Sequence, residues 1–387
     1  MKETKKRSYL SGSEVKAIAR ANAKHMKRLE AYKNRRCDES EFITEMKDPN
    51  NILEIEDLHT YFFTEQGIVK AVNGVSYNVP KNSVVGVVGE SGCGKSVTSM
   101  SVMRLIQGPT GQIVGGSIRF NAKDTQDGET QETTYDIAKM PIHEIHRIRG
   151  KQVAMIFQEP MTSLNPVFTI GQQLDEVTLI HVPNATKEMA KAKSEEMLRL
   201  VGIIPENVYN AFPHELSGGM RQRVMIAMAL AAEPRLIIAD EPTTALDVTI
   251  QAQILDLLQD IKKKIDGSIL LITHDLGVIA EMADYVVVMY AGKVIEKGTV
   301  YEIFQDPKHP YTIGLQKSKP TMGLDDSTEL YNIPGNVPNP INMPTHCYFK
   351  ERCSKCTEKC SGAYPGMVQL SPTHFVACHL YNEEESV

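Results

Sequence analysis

Apolar and polar residues follow two rhythms along this chain. Ile52-Leu53-Glu54-Ile55-Glu56-Asp57-Leu58 alternates and predicts a half-buried strand, with Tyr61-Phe62-Phe63 after it. Lys70–Val79 carries Val72, Val75, Tyr77 and Val79 and predicts another. Four short runs, Ser83–Val88, Lys151–Phe157, Arg235–Ala239 and Ser268–Thr273, are apolar almost throughout. Such runs predict strands buried on both faces. Helical patterning follows at Val97–Ile106, Arg223–Ala232 and Ile250–Lys263. Tyr285–Tyr290 and Lys293–Glu296, separated by Ala291-Gly292, predict a hairpin. The chain is read as α/β.

Four stretches depart from this pattern. Glu14–Tyr32 lacks Pro and Gly and places Val15, Ile18, Met26 and Leu29 on a thin stripe among Lys and Arg. It reads as a basic helix able to lie on anionic lipid, or, preferred here, as a solvated and partly disordered arm. Asn121–Tyr135 is polar and is read as a surface loop or insertion. Residues 170–232 are helical, broken around Pro183, Gly202–Pro205 and Pro213, and are read as a subdomain. Beyond Pro307, recurring prolines (Pro310, Pro320, Pro334, Pro338, Pro340, Pro344) predict a loop-rich tail with too little core of its own.

Composition narrows the class. The chain has 387 residues, 23% charged and 42% apolar, ordinary for a globular protein. Apolar runs such as Tyr285–Ala291 stop far short of the ~20 residues that cross a bilayer. The N-terminus is basic but no apolar segment follows, so no signal peptide is read and a cytosolic setting is expected. The net charge of −6 splits into +9 on residues 1–36 and −15 on the remainder. So acidic a body argues against nucleic acid as a partner. Five of seven cysteines fall in the last 41 positions, and in a cytosolic setting such a cluster points to metal before disulfides.

The candidate chemistry centres on Gly89-Glu90-Ser91-Gly92-Cys93-Gly94-Lys95-Ser96, which fits the G-x-x-x-x-G-K-[ST] phosphate loop between a predicted strand and a predicted helix. Glycines let N–H groups turn inward, and the helix N-terminus adds positive potential. Lys95 would reach the outer phosphates and the Ser96 hydroxyl would ligate Mg²⁺. Cys93 is read as a small space-filler. The strand at 235–239 delivers Asp240 and Glu241 at its carboxyl end, where ligands bind in open α/β sheets. Asp240 suits Mg²⁺, and Glu241 suits taking a proton from an attacking water. Ser217-Gly218-Gly219 opens a helix, as an anion site or as an ordinary cap. His274 ends the strand Ser268–Thr273.

The order phosphate loop, Gln158, Leu216-Ser217-Gly218-Gly219-Met220, Asp240-Glu241, Ala245-Leu246-Asp247 and His274 resembles the ABC ATPase family over about residues 50–300. The resemblance implies a P-loop nucleotide-binding domain: a RecA-like core, an antiparallel β subdomain and a helical signature subdomain. It implies ATP held by Gly89 to Ser96 and Val97, with Mg²⁺ on Ser96, Gln158 and Asp240. Glu241 would polarise the attacking water, His274 would contact the γ-phosphate, and Gln158 would couple to a membrane subunit. Phe62, flanked by Tyr61 and Phe63, best matches the base-stacking aromatic. Ser217, Gly218 and Gly219 would cap ATP held by a facing subunit; Met220 stands where the commonest pattern has Gln.

A narrower resemblance lies in Ala154 to Pro166, His309-Pro310-Tyr311-Thr312, Ile333-Pro334-Gly335 and Cys347-x5-Cys353-x6-Cys360-x17-Cys378, which look like the oligopeptide/dipeptide importer branch. That branch implies import of dipeptides or oligopeptides, with nickel or antimicrobial-peptide cargo, or a soluble ABC ATPase, as alternatives. It implies a second ATPase (usually a paralogue), two transmembrane permease subunits, an extracytoplasmic binding protein, and a peripheral place on the cytoplasmic face of the membrane. Cys347, Cys353, Cys360 and Cys378 are associated there with a [4Fe–4S] cluster; zinc stays open, since Cys356 adds a Cys-x2-Cys spacing. The expected division is a basic extension over 1–50, the ATPase domain over 51–305 with its helical subdomain at about 165–232, and a cysteine-containing C-terminal region over 306–387.

Overall fold

The computed structural model describes residues 10–126, 129–244, 247–264, 267–318, 331–341 and 343–382. Its strands are β1 (Ile43–Thr44), β2 (Asn51–Thr64), β3 (Gly67–Pro80), β4 (Val84–Val88), β5 (Gly111–Gln126), β6 (Glu129–Asp136), β7 (Val153–Ile156), β8 (Leu236–Asp240), β9 (Ser268–Ile272), β10 (Tyr285–Tyr290), β11 (Lys293–Thr299), β12 (Val368–Gln369) and β13 (Phe375–Val376). Its helices are α1 (Gly12–Lys33), α2 (Lys95–Val102), α3 (Pro160–Ser163), α4 (Ile170–His181), α5 (Lys187–Leu200), α6 (Pro205–Val208), α7 (Gly218–Leu230), α8 (Val248–Lys264), α9 (Leu276–Met282), α10 (Val300–Gln305) and α11 (Pro310–Lys317).

The four apolar runs become β4, β7, β8 and β9, which with β10 form the parallel part of an eight-stranded sheet ordered β12-β13-β11-β10-β4-β9-β8-β7. Alternate residues feed two cores. Val84, Val88, Ile237, Ala239, Ile269 and Leu271 enter one; Val85, Val87, Leu236, Ile238, Leu270 and Ile272 enter the other. Both faces are covered, so these strands read as unbroken apolar runs. The second sheet is antiparallel, ordered β1-β6-β5-β2-β3. The first five residues of β2 are all buried, more than the half-burial its alternation predicts. Its polar members there, Asn51 and Glu54, bond each other (Nδ2–Oε1, 2.9 Å).

Two expectations are corrected. The segment read as a loop at 121–135 is the outer part of the β5–β6 ribbon, paired from Arg119↔Asp136 to Gln126↔Glu129; Asp127 and Gly128 lie outside the described residues. β-Branched and aromatic residues at Thr133, Thr134 and Tyr135 suit a strand. Long polar contacts fix the ribbon: buried Gln152 accepts from Lys123 N–H (3.1 Å) and donates to its carbonyl (2.8 Å), and Arg235 bonds Asn121 Oδ1 (2.7 Å).

The arm read as solvated is, from Gly12 on, an ordered helix; residues 1–9 lie outside the described residues. Ser11 and Glu14 form a capping box at its start. Its stripe is only half-buried, and polar anchors hold it to the antiparallel sheet. Asn22 donates to Thr64 O (2.8 Å), and Gln112 donates to Glu30 (2.6 Å).

The tail, finally, finds its core in the ATPase body. β13 pairs with β11, and Tyr348 and Phe349 enter the main core. Pro320 lies outside the described residues.

Candidate functional site

The phosphate loop runs from the end of β4 to the first turn of α2. Two glycines are dictated by close approach. A Cβ on Gly89 would stand 2.2 Å from Met289 O, and one on Gly94 (φ +102°) 2.4 Å from Ala71 O. Only a residue without a side chain fits either position. Cys93 packs into the same crowding, 1% exposed, and burial pushes its thiol up, which fits a space-filler.

Lys95 turns back onto the loop, its Nζ donating to Gly89 O (2.7 Å) and Glu90 O (3.3 Å). Ser96 Oγ donates to Asp240 Oδ1 (3.0 Å). Burial pushes the Asp240 carboxyl up, opposed by that bond. The Ser96–Asp240 pair is a compact set of hard oxygen donors, chemistry that suits Mg²⁺.

Glu241 is the point of convergence. It follows β8 directly with φ +48°, a left-handed conformation uncommon for a non-glycine residue. Such strain at a strand end accompanies functional positions. Gln158 Nε2 and Thr244 Oγ1 both donate to Oε2 (3.1 and 2.9 Å), and His274 Nδ1 lies 3.4 Å from Oε1. Gln158 and His274 follow β7 and β9, so three neighbouring parallel strands deliver the group from their carboxyl ends. A cavity of about 530 Å³ opens here, walled by Ser91, Gly92, Gly94, Lys95, Ser96, Val97, Gln158, Glu241, Thr244, His274 and Ala71.

Other expected residues stand elsewhere. Ser217 caps α7, accepting from Met220 N–H (3.3 Å), and space is open where Gly218 would carry a side chain. Neither residue, nor Gly219, walls the cavity. Phe62 is not in that wall either: its ring lies against Gly111, which a Cβ would bring to 2.9 Å from it. Ala245 and Leu246 lie outside the described residues.

Burial is the main cause that pushes the half-buried Cys347 thiol up to about 11, with Cys360, Cys378 and Cys353 adding to it. Among the described residues, however, no group of three or more His, Cys, Asp or Glu side chains is set to hold a metal ion.

Sequence reasoning missed Thr244 and Ala71. It missed above all Arg352 and Tyr311, which reach Glu90 in the loop from the C-terminal region. Tyr311 lay within a recognised motif, but nothing in the sequence around Arg352 marks it.

Fold and site together define an ABC-type nucleotide-binding domain, and comparison with known proteins agrees. The family described as "ABC transporter" matches residues 72–244, and "Oligopeptide/dipeptide transporter, C-terminal region" matches residues 295–360. The chain is 49% identical to the oligopeptide transport ATP-binding protein AppD of Bacillus subtilis (strain 168) over 337 residues, 87% of this chain and 98% of the relative. It is 49% identical to OppD and 46% identical to the dipeptide transport ATP-binding protein DppD of the same organism, covering 90% and 95% of them. Among solved structures, the ATP-binding cassette MJ0796, in a dimeric post-hydrolysis state bound to ADP and Pi, matches 64% of this chain and 98% of its own (TM-score 0.54, 24% identity). The chain belongs to the oligopeptide/dipeptide transport branch of the ABC ATPases, and it is an ATPase. Among the described residues no helix is long and apolar enough to cross a membrane.

Proposed function

We propose that this chain hydrolyses ATP to drive import of dipeptides or oligopeptides through a membrane permease. The observation that carries this reading is the convergence of Gln158, Thr244 and His274 on the Glu241 carboxylate, beside Lys95 and Ser96. The relatives' transport names supply the cargo class.

In this reading Lys95 exchanges the Gly89 and Glu90 carbonyls for phosphate oxygens. Ser96, Gln158 and Asp240 would hold Mg²⁺, which when bound would supply positive charge against the phosphates. Glu241 orients and deprotonates the attacking water, and its bonds to Gln158 and Thr244 fix that carboxylate in place. His274 contacts the γ-phosphate. Ser217, Gly218 and Gly219 cap the nucleotide of a facing ATPase subunit, a paralogue, so each site is shared by two chains. Phe62 stacks on the base only after moving from its seat against Gly111. Two permease subunits and an extracytoplasmic binding protein complete the assembly, with this chain peripheral on the cytoplasmic face. Domain limits of 1–50, 51–305 and 306–387 go with this reading.

Glu241→Gln should bind ATP yet lose hydrolysis by about 10²-fold or more, measured as phosphate release by the assembled transporter. Turnover near the wild-type rate would remove Glu241 from the role of base.

At the C-terminus, four thiols supply donors of the right chemistry for a [4Fe–4S] cluster on Cys347, Cys353, Cys360 and Cys378, which would have to be drawn together from their present arrangement. Such a cluster would staple a region short of core. Anaerobic purification with iron, sulfide and zinc analysis tests this: about four irons per chain support the cluster, and zinc alone replaces it.

A further inference from the structure

Glu90, inside the phosphate loop, is tied at four atoms. Its N–H donates to Tyr311 Oη (2.8 Å), its carbonyl accepts from Lys95 Nζ (3.3 Å), and its carboxylate receives a two-pronged guanidinium. Arg352 Nη1 stands 2.8 Å from Oε2 and Nη2 2.9 Å from Oε1, across 262 residues of sequence. Arg352 is 8% exposed, yet all five of its N–H groups have partners. Besides Glu90 they reach Pro334 O (3.0 Å), Ile333 O (3.3 Å) and the Tyr290 hydroxyl (3.4 Å). Tyr311 is fully buried, its ring 4.7 Å from that of Tyr290 and 5.5 Å from that of Phe349. This is a built socket rather than a surface ion pair, and the fork geometry is one that only Arg supplies.

A carboxylate is an awkward occupant of a loop that must receive a polyphosphate, because like charges in a half-buried site repel with little screening. Charge balance therefore has to come from elsewhere. We propose that Arg352 is a positioning residue for nucleotide binding. It neutralises Glu90, while Tyr311 holds the first turn of the phosphate loop through the Glu90 N–H, so that the C-terminal region sets ATP affinity without touching ATP. This rests on the reading of the loop as the ATP site.

The test is the dissociation constant of the full-length chain for a fluorescent ATP analogue with Mg²⁺, with melting midpoints recorded in parallel. Arg352→Met leaves a half-buried, unpaired carboxylate at the loop and should weaken binding about tenfold or more. Adding Glu90→Gln to it should bring affinity back to within about threefold of wild type, because the offending charge is gone. Glu90→Gln alone should bind at least as tightly as wild type. A socket that merely ties two parts of the fold together predicts the opposite: the double variant would bind no better than Arg352→Met, and Glu90→Gln would bind more weakly. Either result overturns the proposal. If Arg352→Met does not fold, Glu90→Gln and Arg352→Lys decide, the latter expected to bind between wild type and tenfold weaker. Lys95→Ala should abolish binding in every background. Wild-type affinity in Lys95→Ala would overturn the site reading and this inference with it.

Discussion

Two glycines in different surroundings separate shape from approach. Gly94 has φ +102° and would bring a Cβ to 2.4 Å from a backbone oxygen, so Gly94→Ala must displace the loop or β3. Backbone strain of this kind costs about 1–3 kcal/mol. Its expected result is a lowered melting midpoint together with lost ATP binding. Gly218, at the first position of α7, meets nothing within 4 Å. Alanine there should leave stability unchanged or raise it by up to about 1 kcal/mol, through helix propensity. If a facing subunit's nucleotide approaches this backbone, the same change should cut hydrolysis by the assembled transporter. A Gly218→Ala transporter with full turnover would mean that no phosphate comes close to that position. The pair of variants thus asks for opposite outcomes in stability and the same outcome in activity.

Among the elements, α1 depends on polar anchors more than on its stripe. Asn22 is 6% exposed and donates to Thr64 O, so Asn22→Ala removes a part-buried hydrogen bond, at about 0.5–1.5 kcal/mol. The helix carries Lys24, Lys27 and Arg28, which trypsin can read once it lifts. Trypsin should cleave there up to roughly tenfold faster in the variant, following the 1.4 kcal/mol per decade of an opening equilibrium, with ATP hydrolysis unchanged. Equal cleavage rates would show that the bond does not hold α1. This dependence explains what was legible in the chain. β4, β7, β8 and β9 were, because burial on both faces writes itself as a run of Val, Ile and Leu. The loop, Asp240, Glu241 and His274 were too, because strand ends and glycine spacing mark them locally. The docking of α1 and the β5–β6 ribbon were not, since the one leans on polar contacts such as Asn22 to Thr64 and the other on backbone pairing between polar strands, and neither leaves a periodic apolar trace. Arg352 to Glu90 is the extreme case: a pair 262 residues apart with no pattern at either end.

On the scale of the whole molecule, the C-terminal region is pegged to the ATPase body by one buried and one half-buried carboxylate. Glu296 is fully buried and accepts from Lys308 N–H (2.7 Å) and His309 N–H (2.9 Å), and pairs with His374 Nε2 (2.8 Å). Glu302 accepts from Ser371 (2.6 Å), Thr373 (2.9 Å) and Thr299 (2.8 Å). Two of these groups make the peg sensitive to acid. Burial alone would push the Glu302 carboxyl up, but bonds from Ser371, Thr299 and Thr373 overcome it and hold the group at about 2, below its ordinary 4.5. Burial drives His309 from 6.5 down to about 4, with Glu296 only partly opposing. The signs agree. In each case the folded chain binds the proton less readily than the unfolded one, so stability falls as pH falls. The histidine's share is complete above about 6.5 and lost toward 4, and the carboxylate's is complete above about 4.5 and lost toward 2. With no Trp in the chain, amide exchange is the better probe. After correction for intrinsic rates, protection at Val368–Gln369 and Phe375–Val376 should decline from pH 6.5 to 4 ahead of protection in β4 and β9. His309→Asn keeps an acceptor for the Tyr311 N–H, which His309 Nδ1 takes at 3.0 Å, but removes the titration, so it should flatten that limb while leaving the steeper loss below 4.5. Protection that stays level down to pH 4 in the wild type would sink this account of the peg, since a neutral buried imidazole cannot stay silent over that range.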